Sequence, residues 1–141
     1  MRPRSGPSEP HVTYAALAQQ YLDGVRRLCA AEGWTSYADA TTAWRALTAP
    51  GCIVVVAIER DVVGFAQLQS DGIVHAHVSN IAVAASHRRQ GIGRRLLEIA
   101  FERSGARYLD LVSTEGAHDF YRSFDHKEFS GFRLYPRKPT P

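Results

Sequence analysis

The sequence predicts an α/β fold of the α+β kind, a mixed and mostly antiparallel twisted sheet flanked by helices. Three observations lead there. Between residues 13 and 50, apolar side chains recur at steps of three and four, the period of helices buried on one side. Residues 52–84 then read as β-branched runs joined by tight polar turns, which pair antiparallel. Beyond them the period changes again, giving a Gly-rich turn, a helix, a strand and a further helix, the order of a crossover unit with a parallel strand.

Each element follows from local chemistry. Residues 1–12 open with Pro, Arg and Ser and are expected to form a loose leader, residues 13–136 a single domain, and 137–141 a tail. From Thr13 onward, Tyr14, Leu17, Ala18, Tyr21, Leu22, Val25, Leu28 and Cys29 make one apolar stripe, predicting a first helix that Gly33 terminates. Ser36 can cap a second helix carrying Tyr37, Ala40, Trp44 and Leu47, closed by Pro50 and Gly51. Strands are predicted over 52–58, 62–69 and 73–84. A helix starting at Gly91 ends at Ser104-Gly105, and a buried strand follows over 108–112. Ser113 or Thr114 can cap a last helix with Ala117, Phe120, Tyr121 and Phe124 on one side, and the apolar segment 129–135 is predicted as a short final strand.

Bulk properties exclude several classes. With 141 residues, 45% hydrophobic and 22% charged, the chain can bury one core without metals or disulfides. Cys29 and Cys52 form no CxxC pair and complete no zinc set, so no metal site is expected and the thiols read as small buried hydrophobes in a reducing compartment. No stretch has the apolar length to span a bilayer, and the first residues lack the apolar core of a signal peptide. The expectation is a cytoplasmic protein without a membrane partner. A net charge of +3 suits an anionic ligand.

The most informative segment runs from Ser86 through Arg88, Arg89, Gln90, Gly91, Ile92 and Gly93 to Arg94 and Arg95, between a predicted strand and a predicted helix. Glycine lets the main chain approach a ligand closely, and a helix start offers unpaired N–H groups at a positive dipole end. Together with fork-shaped arginine donors this makes a phosphate-type anion site. A Walker loop is excluded because Arg94-Arg95 stand where Lys-Ser/Thr is needed, and a dinucleotide fingerprint because Leu96 replaces its third glycine. The bland reading is a turn with solvated arginines. The basic cluster also fits nucleic acid, but no stacking motif or recognition helix accompanies it, so no nucleic-acid partner is expected.

Arg88-x-x-Gly91-x-Gly93, following the strand that contains Ile81, Ala82 and Val83, resembles the signature of the Gcn5-related N-acetyltransferases (GNATs), and Phe120-Tyr121 resembles that family's Phe-Tyr element. The resemblance implies a GNAT-like sheet splayed after the fourth family strand. It implies acetyl-coenzyme A as co-substrate, its pyrophosphate held by N–H groups from Arg89 to Gly93 between flanking Arg88 and Arg94. Ile81, Ala82 and Val83 would face its pantetheine arm, and the Ile81 N–H would receive the carbonyl oxygen. The acceptor would be a primary amine of a small molecule or peptide, attacked directly in a ternary complex. Family members usually open with a strand, which residues 1–12 do not resemble.

Tyr121 matches the tyrosine placed near the coenzyme A sulfur, where it would protonate the leaving thiolate; its place on an apolar helix side fits core packing as well. For the base, His75, His77 and Ser79 recur at every second residue and so share a face of the strand. His77 leads His75, and Glu115 is weaker because a carboxylate in a first helical turn is explained by the dipole. Two histidines on a half-exposed face bonded to water is the equally simple alternative. A non-catalytic module that binds coenzyme A or another phosphate ligand is the rival function. The short last strands could pair across a homodimer.

Overall fold

The computed structural model describes residues 11–137. The expected leader therefore lies outside the described residues up to position 10, and the expected tail from position 138. Two long strands, β2 (Cys52–Glu59) and β3 (Asp61–Ser70), form the hairpin around which the rest is arranged. Their turn is a single residue, Arg60, in the left-handed region at φ 66°. The next turn is built by a side chain: Asp71 Oδ1 accepts from the amides of Ile73 and Val74 at 2.7 Å each and of His75 at 3.2 Å. Those amides hold the Asp71 carboxyl below its ordinary pKa.

The sheet has five strands in sequence order. β1 (Thr13–Ala16) pairs antiparallel with β2, β3 with β4 (His75–Val83), and β5 (Tyr108–Asp110) lies parallel to β4. On one face lie α1 (Leu22–Ala31) and α2 (Ala40–Leu47), joined through a 3-10 turn at Thr35–Tyr37. Val25, Leu28, Cys29, Ala43 and Leu47 pack there against Val54, Val56 and Phe65. On the other face α3 (Ile92–Ser104) presses Ile92, Leu96, Leu97 and Ala100 onto Val55, Ala66, Leu68 and Val78. The short α4 (His118–Arg122) leans Phe120, Tyr121 and the following Phe124 on this second cluster.

Several sequence expectations are corrected. Thr13–Ala16 is a strand and not the start of a helix, so the opening strand exists after all, one residue beyond the segment set aside as leader. Thr13 pairs with Ile58 and Ala16 with Val55, and this exposed edge of β2 outweighs a helical period that only becomes continuous at Leu22. Val12 itself packs against the α3-side core. α2 is capped by Asp39, which accepts from the Thr42 amide at 2.8 Å, while Ser36 lies in the 3-10 turn. β5 stops at Asp110, and α4 begins at His118 after Ala117, well past Ser113 and Thr114. Residues 129–135 are not a strand: Phe129, Phe132 and Leu134 are exposed at 74%, 83% and 80%, and the outer edge of β5 stays unpaired.

Candidate active site

The site forms where β4 and β5 part. Only His75, Ala76 and His77 of β4 pair with β5, yet β4 runs on to Val83. Along that remainder its outer edge has no neighbouring strand. The direction of the main chain there follows from two contacts. The Ala84 amide donates inward to the Val63 carbonyl at 2.8 Å, while the Val83 carbonyl turns outward and accepts from Arg88 Nε at 3.2 Å. A strand alternates with a period of two, so Val83 and Ile81 both present their N–H and C=O groups to the open side.

A bulge decides this phase. Gln67 pairs with Asn80 and Leu68 with Val78, so Ser79 is left without a partner. As a result Val78 and Ile81, three residues apart, both join the α3-side cluster. The shared face expected for His75, His77 and Ser79 holds up to the bulge and changes beyond it, where Asn80 and Ala82 turn toward α1 and α2.

The chain then makes a 3-10 turn at Ala85–His87 and enters α3 through Arg89 at φ 62° and Gly91 at φ 79°. Nothing lies within 4 Å of where a Gly91 side chain would start, so its glycine answers to the left-handed backbone and not to crowding. At Gly93 the reason is contact: a Cβ would stand 3.3 Å from the Phe120 ring. Among the described residues, no main-chain amide from Arg88 to Arg94 donates to a protein acceptor; the first to do so is Arg95, to the Gly91 carbonyl at 3.1 Å. Consecutive N–H groups left over at a helix start form a cradle for an anion.

The arginines divide their labour. Arg88 is turned back onto Glu32 at 2.9 Å and onto the Val83 carbonyl, so it ties the turn to the end of α1. Arg94 reaches the Ser123 carbonyl at 3.1 Å and its hydroxyl at 2.8 Å, and its guanidinium lies 3.8 Å above the Phe124 ring. Arg95 pairs along α3 with Glu98 at 3.5 Å. Arg89 makes no side-chain hydrogen bond or ion pair among the described residues, and with the exposed Gln90 it borders the cradle. Sequence reasoning missed His87, whose Nε2 lies 2.9 Å from Glu59 and whose Nδ1 meets Ser86 Oγ at 2.7 Å. That contact joins the turn to the end of β2, and only the fold brings the two together.

Tyr121 is half-buried on the α3 side, its ring edge-on to Phe120 at 5.0 Å, and burial pushes its phenol above the ordinary value. His77 is exposed and lines a groove of about 330 Å³ with Ser79, Val112, Phe132 and Leu134. Ala76 and Val78 lie in the α3-side cluster, so His77 stands on the opposite face of the sheet from Tyr121. It is four residues before Ile81, roughly 13 Å along the strand at about 3.3 Å per residue. His75 is accounted for by its neighbour on β5, with its ring 5.7 Å from that of Tyr108. Glu115 is exposed in the loop before α4 and belongs to no helix. Among the described residues no three His, Cys, Asp or Glu side chains converge as metal ligands, and no helix is long and apolar enough to cross a membrane.

A family profile described as an acetyltransferase (GNAT) domain matches residues 49–128, from the start of the central hairpin to just past α4. The chain belongs to this family. The fold agrees over a longer span than the profile. A GNAT family acetyltransferase from Streptococcus pneumoniae is 27% identical, with a TM-score of 0.73 over 90% of this chain and 99% of that one. An aminoglycoside N-acetyltransferase solved with coenzyme A is 16% identical, with a TM-score of 0.77 over 95% and 99%. A ribosomal-protein-alanine N-acetyltransferase from Brucella melitensis is 20% identical, with a TM-score of 0.71 over 88% and 98%. No curated protein sequence matches. The mixed sheet that opens beyond β4 is thus the GNAT fold, and β1 supplies the opening strand that family members usually have.

Proposed function

We propose that this GNAT domain transfers the acetyl group of acetyl-coenzyme A to a primary amine of a small molecule or peptide. One observation carries the reading: the unspent amides from Arg88 to Arg94 adjoin an unpaired stretch of β4 edge. A diphosphate and an extended amide-bearing arm need those two features in that order. The residues fit such a co-substrate. Main-chain amides of Arg89, Gln90, Gly91, Ile92 and Gly93 would hold the diphosphate, with Arg89 adding charge, while the edge at Ile81–Val83 would pair with the arm as a strand does.

The chain's own groups suit direct attack. The outward Ile81 N–H would stabilise the acyl oxygen as it gains charge, a donor of a kind worth about 3 kcal/mol. Tyr121, on the α3 face and kept protonated by burial, would donate to the departing thiolate. His77, on the opposite face, would take the amine proton through ordered water, given its separation from Ile81. Acid and base on opposite faces match a reaction in which the amine enters from one side and the thiol leaves on the other.

Calorimetry with acetyl-coenzyme A, followed by thiol release across a panel of amines, tests the whole reading. Binding with turnover is expected, and Tyr121→Phe should lower kcat by roughly 100-fold while binding stays near wild type. An unchanged kcat would remove Tyr121 from the chemistry. Tight binding without turnover on any amine would favour the regulatory module instead. In His77→Ala the acidic limb of the pH–rate profile should vanish; a persisting limb rules this histidine out as base.

A further inference from the structure

A polar cluster that the mechanism above does not use lies under the β4 bulge. Tyr37 Oη lies 3.0 Å from Gln67 Oε1, and Asn80 Nδ2 lies 2.8 Å from both. Gln67 is 1% exposed, and its Nε2 reaches Cys52 Sγ at 3.4 Å. The three polar heads come from three separate elements. Gln67 is on β3, Asn80 is its partner across the strand pair, and Tyr37 ends the 3-10 turn between the helices. That turn is itself anchored: Arg26 of α1 donates to the Tyr37 carbonyl at 3.3 Å and to the carbonyl of Ala38.

The position of this cluster matters because of what the bulge decides. Asn80 directly follows the unpaired Ser79 and directly precedes Ile81. If β4 ran without the extra residue, every group beyond Val78 would exchange sides. The Ile81 amide would then turn inward to β3, and the amides of Asn80 and Ala82 would face the opening. Regular pairing also removes an irregularity, so something must hold the bulge in place. A half-buried three-way hydrogen-bonded contact between the buried Gln67, Asn80 and an anchored tyrosine does so. A slipped register would leave the buried Gln67 head without these partners, at about 1–3 kcal/mol.

We propose that Tyr37, Gln67 and Asn80 are positioning residues whose shared hydrogen bonds pin the β4 bulge and thereby aim the Ile81 N–H into the opening between β4 and β5. This rests on the acetyl-transfer reading. The lock touches neither the anion cradle nor Tyr121, so loosening it leaves the seat of the diphosphate intact while misdirecting the edge amides from Ile81 onward.

The test uses the full chain with Asn80→Ala, the volume-conserving Tyr37→Phe, and the double variant. Acetyl-coenzyme A labelled with carbon-13 at its carbonyl is bound to each, and the carbonyl stretch is read by infrared difference spectroscopy, together with the dissociation constant and kcat. In wild type the bound carbonyl should be red-shifted. In each variant the red shift should diminish and kcat fall about tenfold, with the dissociation constant rising by a smaller factor because the anion cradle is untouched. The double variant should be no worse than the weaker single, since both break one lock. A full red shift and kcat in variants that merely melt earlier would overturn the proposal, as would losses that multiply in the double variant. Wild type that binds acetyl-coenzyme A without any red shift would overturn the role of Ile81 and this inference with it. Wild type that does not bind it at all would overturn the acetyl-transfer reading itself, and the lock falls with it.

Discussion

The two ends of the crossover unit are built in opposite ways. The turn from β4 into α3 offers main-chain amides, and it rests on a helix whose Leu96 and Ala100 are fully buried. The segment from β5 through α4 to residue 137 offers side chains on short elements. β5 has 3 residues, α4 has 5, and neither holds a residue that is completely buried. Beyond Phe124, no main-chain amide of the described residues makes a main-chain hydrogen bond. A diphosphate is always the same size and charge, so a rigid backbone cradle suits it. Contacts to an acceptor must differ between proteins, and side chains on lightly held segments can change without disturbing the core.

Substitutions in each region test this difference. The largest effect is expected from Leu96→Ala, which should cost about 3 kcal/mol in denaturant unfolding and weaken coenzyme binding, because α3 would seat less firmly beneath the turn. A loss under about 1 kcal/mol would mean that the cradle does not depend on this packing. Next is Arg94, which joins the two regions. Arg94→Ala should destabilise by roughly 1 kcal/mol and lower kcat, since α4 and Tyr121 lose their clamp to α3. If Arg94→Lys restores stability but not kcat, the planar fork over Phe124 is what matters, and full recovery of both would make its charge the whole story.

A smaller effect concerns acid. Asp71 has its pKa lowered by the three amides of the β3–β4 turn, so its contribution is fully present above the ordinary carboxylate value near 3.9 and is lost as pH falls through the lower folded-state value. The acid-unfolding midpoint of Asp71→Asn should therefore lie at higher pH than that of wild type. Coincident acid transitions would remove the turn from the list of stabilising features. The smallest change is expected at Leu134→Ser or Phe132→Ser, within about 0.5 kcal/mol in stability, because both side chains are exposed. A large loss of stability in either, dependent on protein concentration, would reveal a second copy covering this segment.

Legibility in the sequence followed the range of the interactions. The cradle could be read because strand, arginine-rich turn, Gly91, Gly93 and helix are contiguous, and the rules for helix starts and glycine act over a few residues. Tyr121 could be read as one of a Phe-Tyr pair, though not what holds its helix in place. The first strand was hidden because the edge of β2 that recruits Thr13–Ala16 lies some forty residues away in sequence. The lock under β4 was hidden for the same reason, its members Tyr37, Gln67 and Asn80 being drawn from three elements. Tyr37 was visible only as an aromatic near the helices.

Taken alone, the amino-acid order determined the succession of helices and strands through the centre of the chain and the glycine-bearing turn into α3, since both arise from neighbours in sequence. The phase of β4 past its bulge, and with it which amides face the opening, was set by the folded chain. That phase belongs to a cross-strand register, and a register comes into being only when distant segments meet.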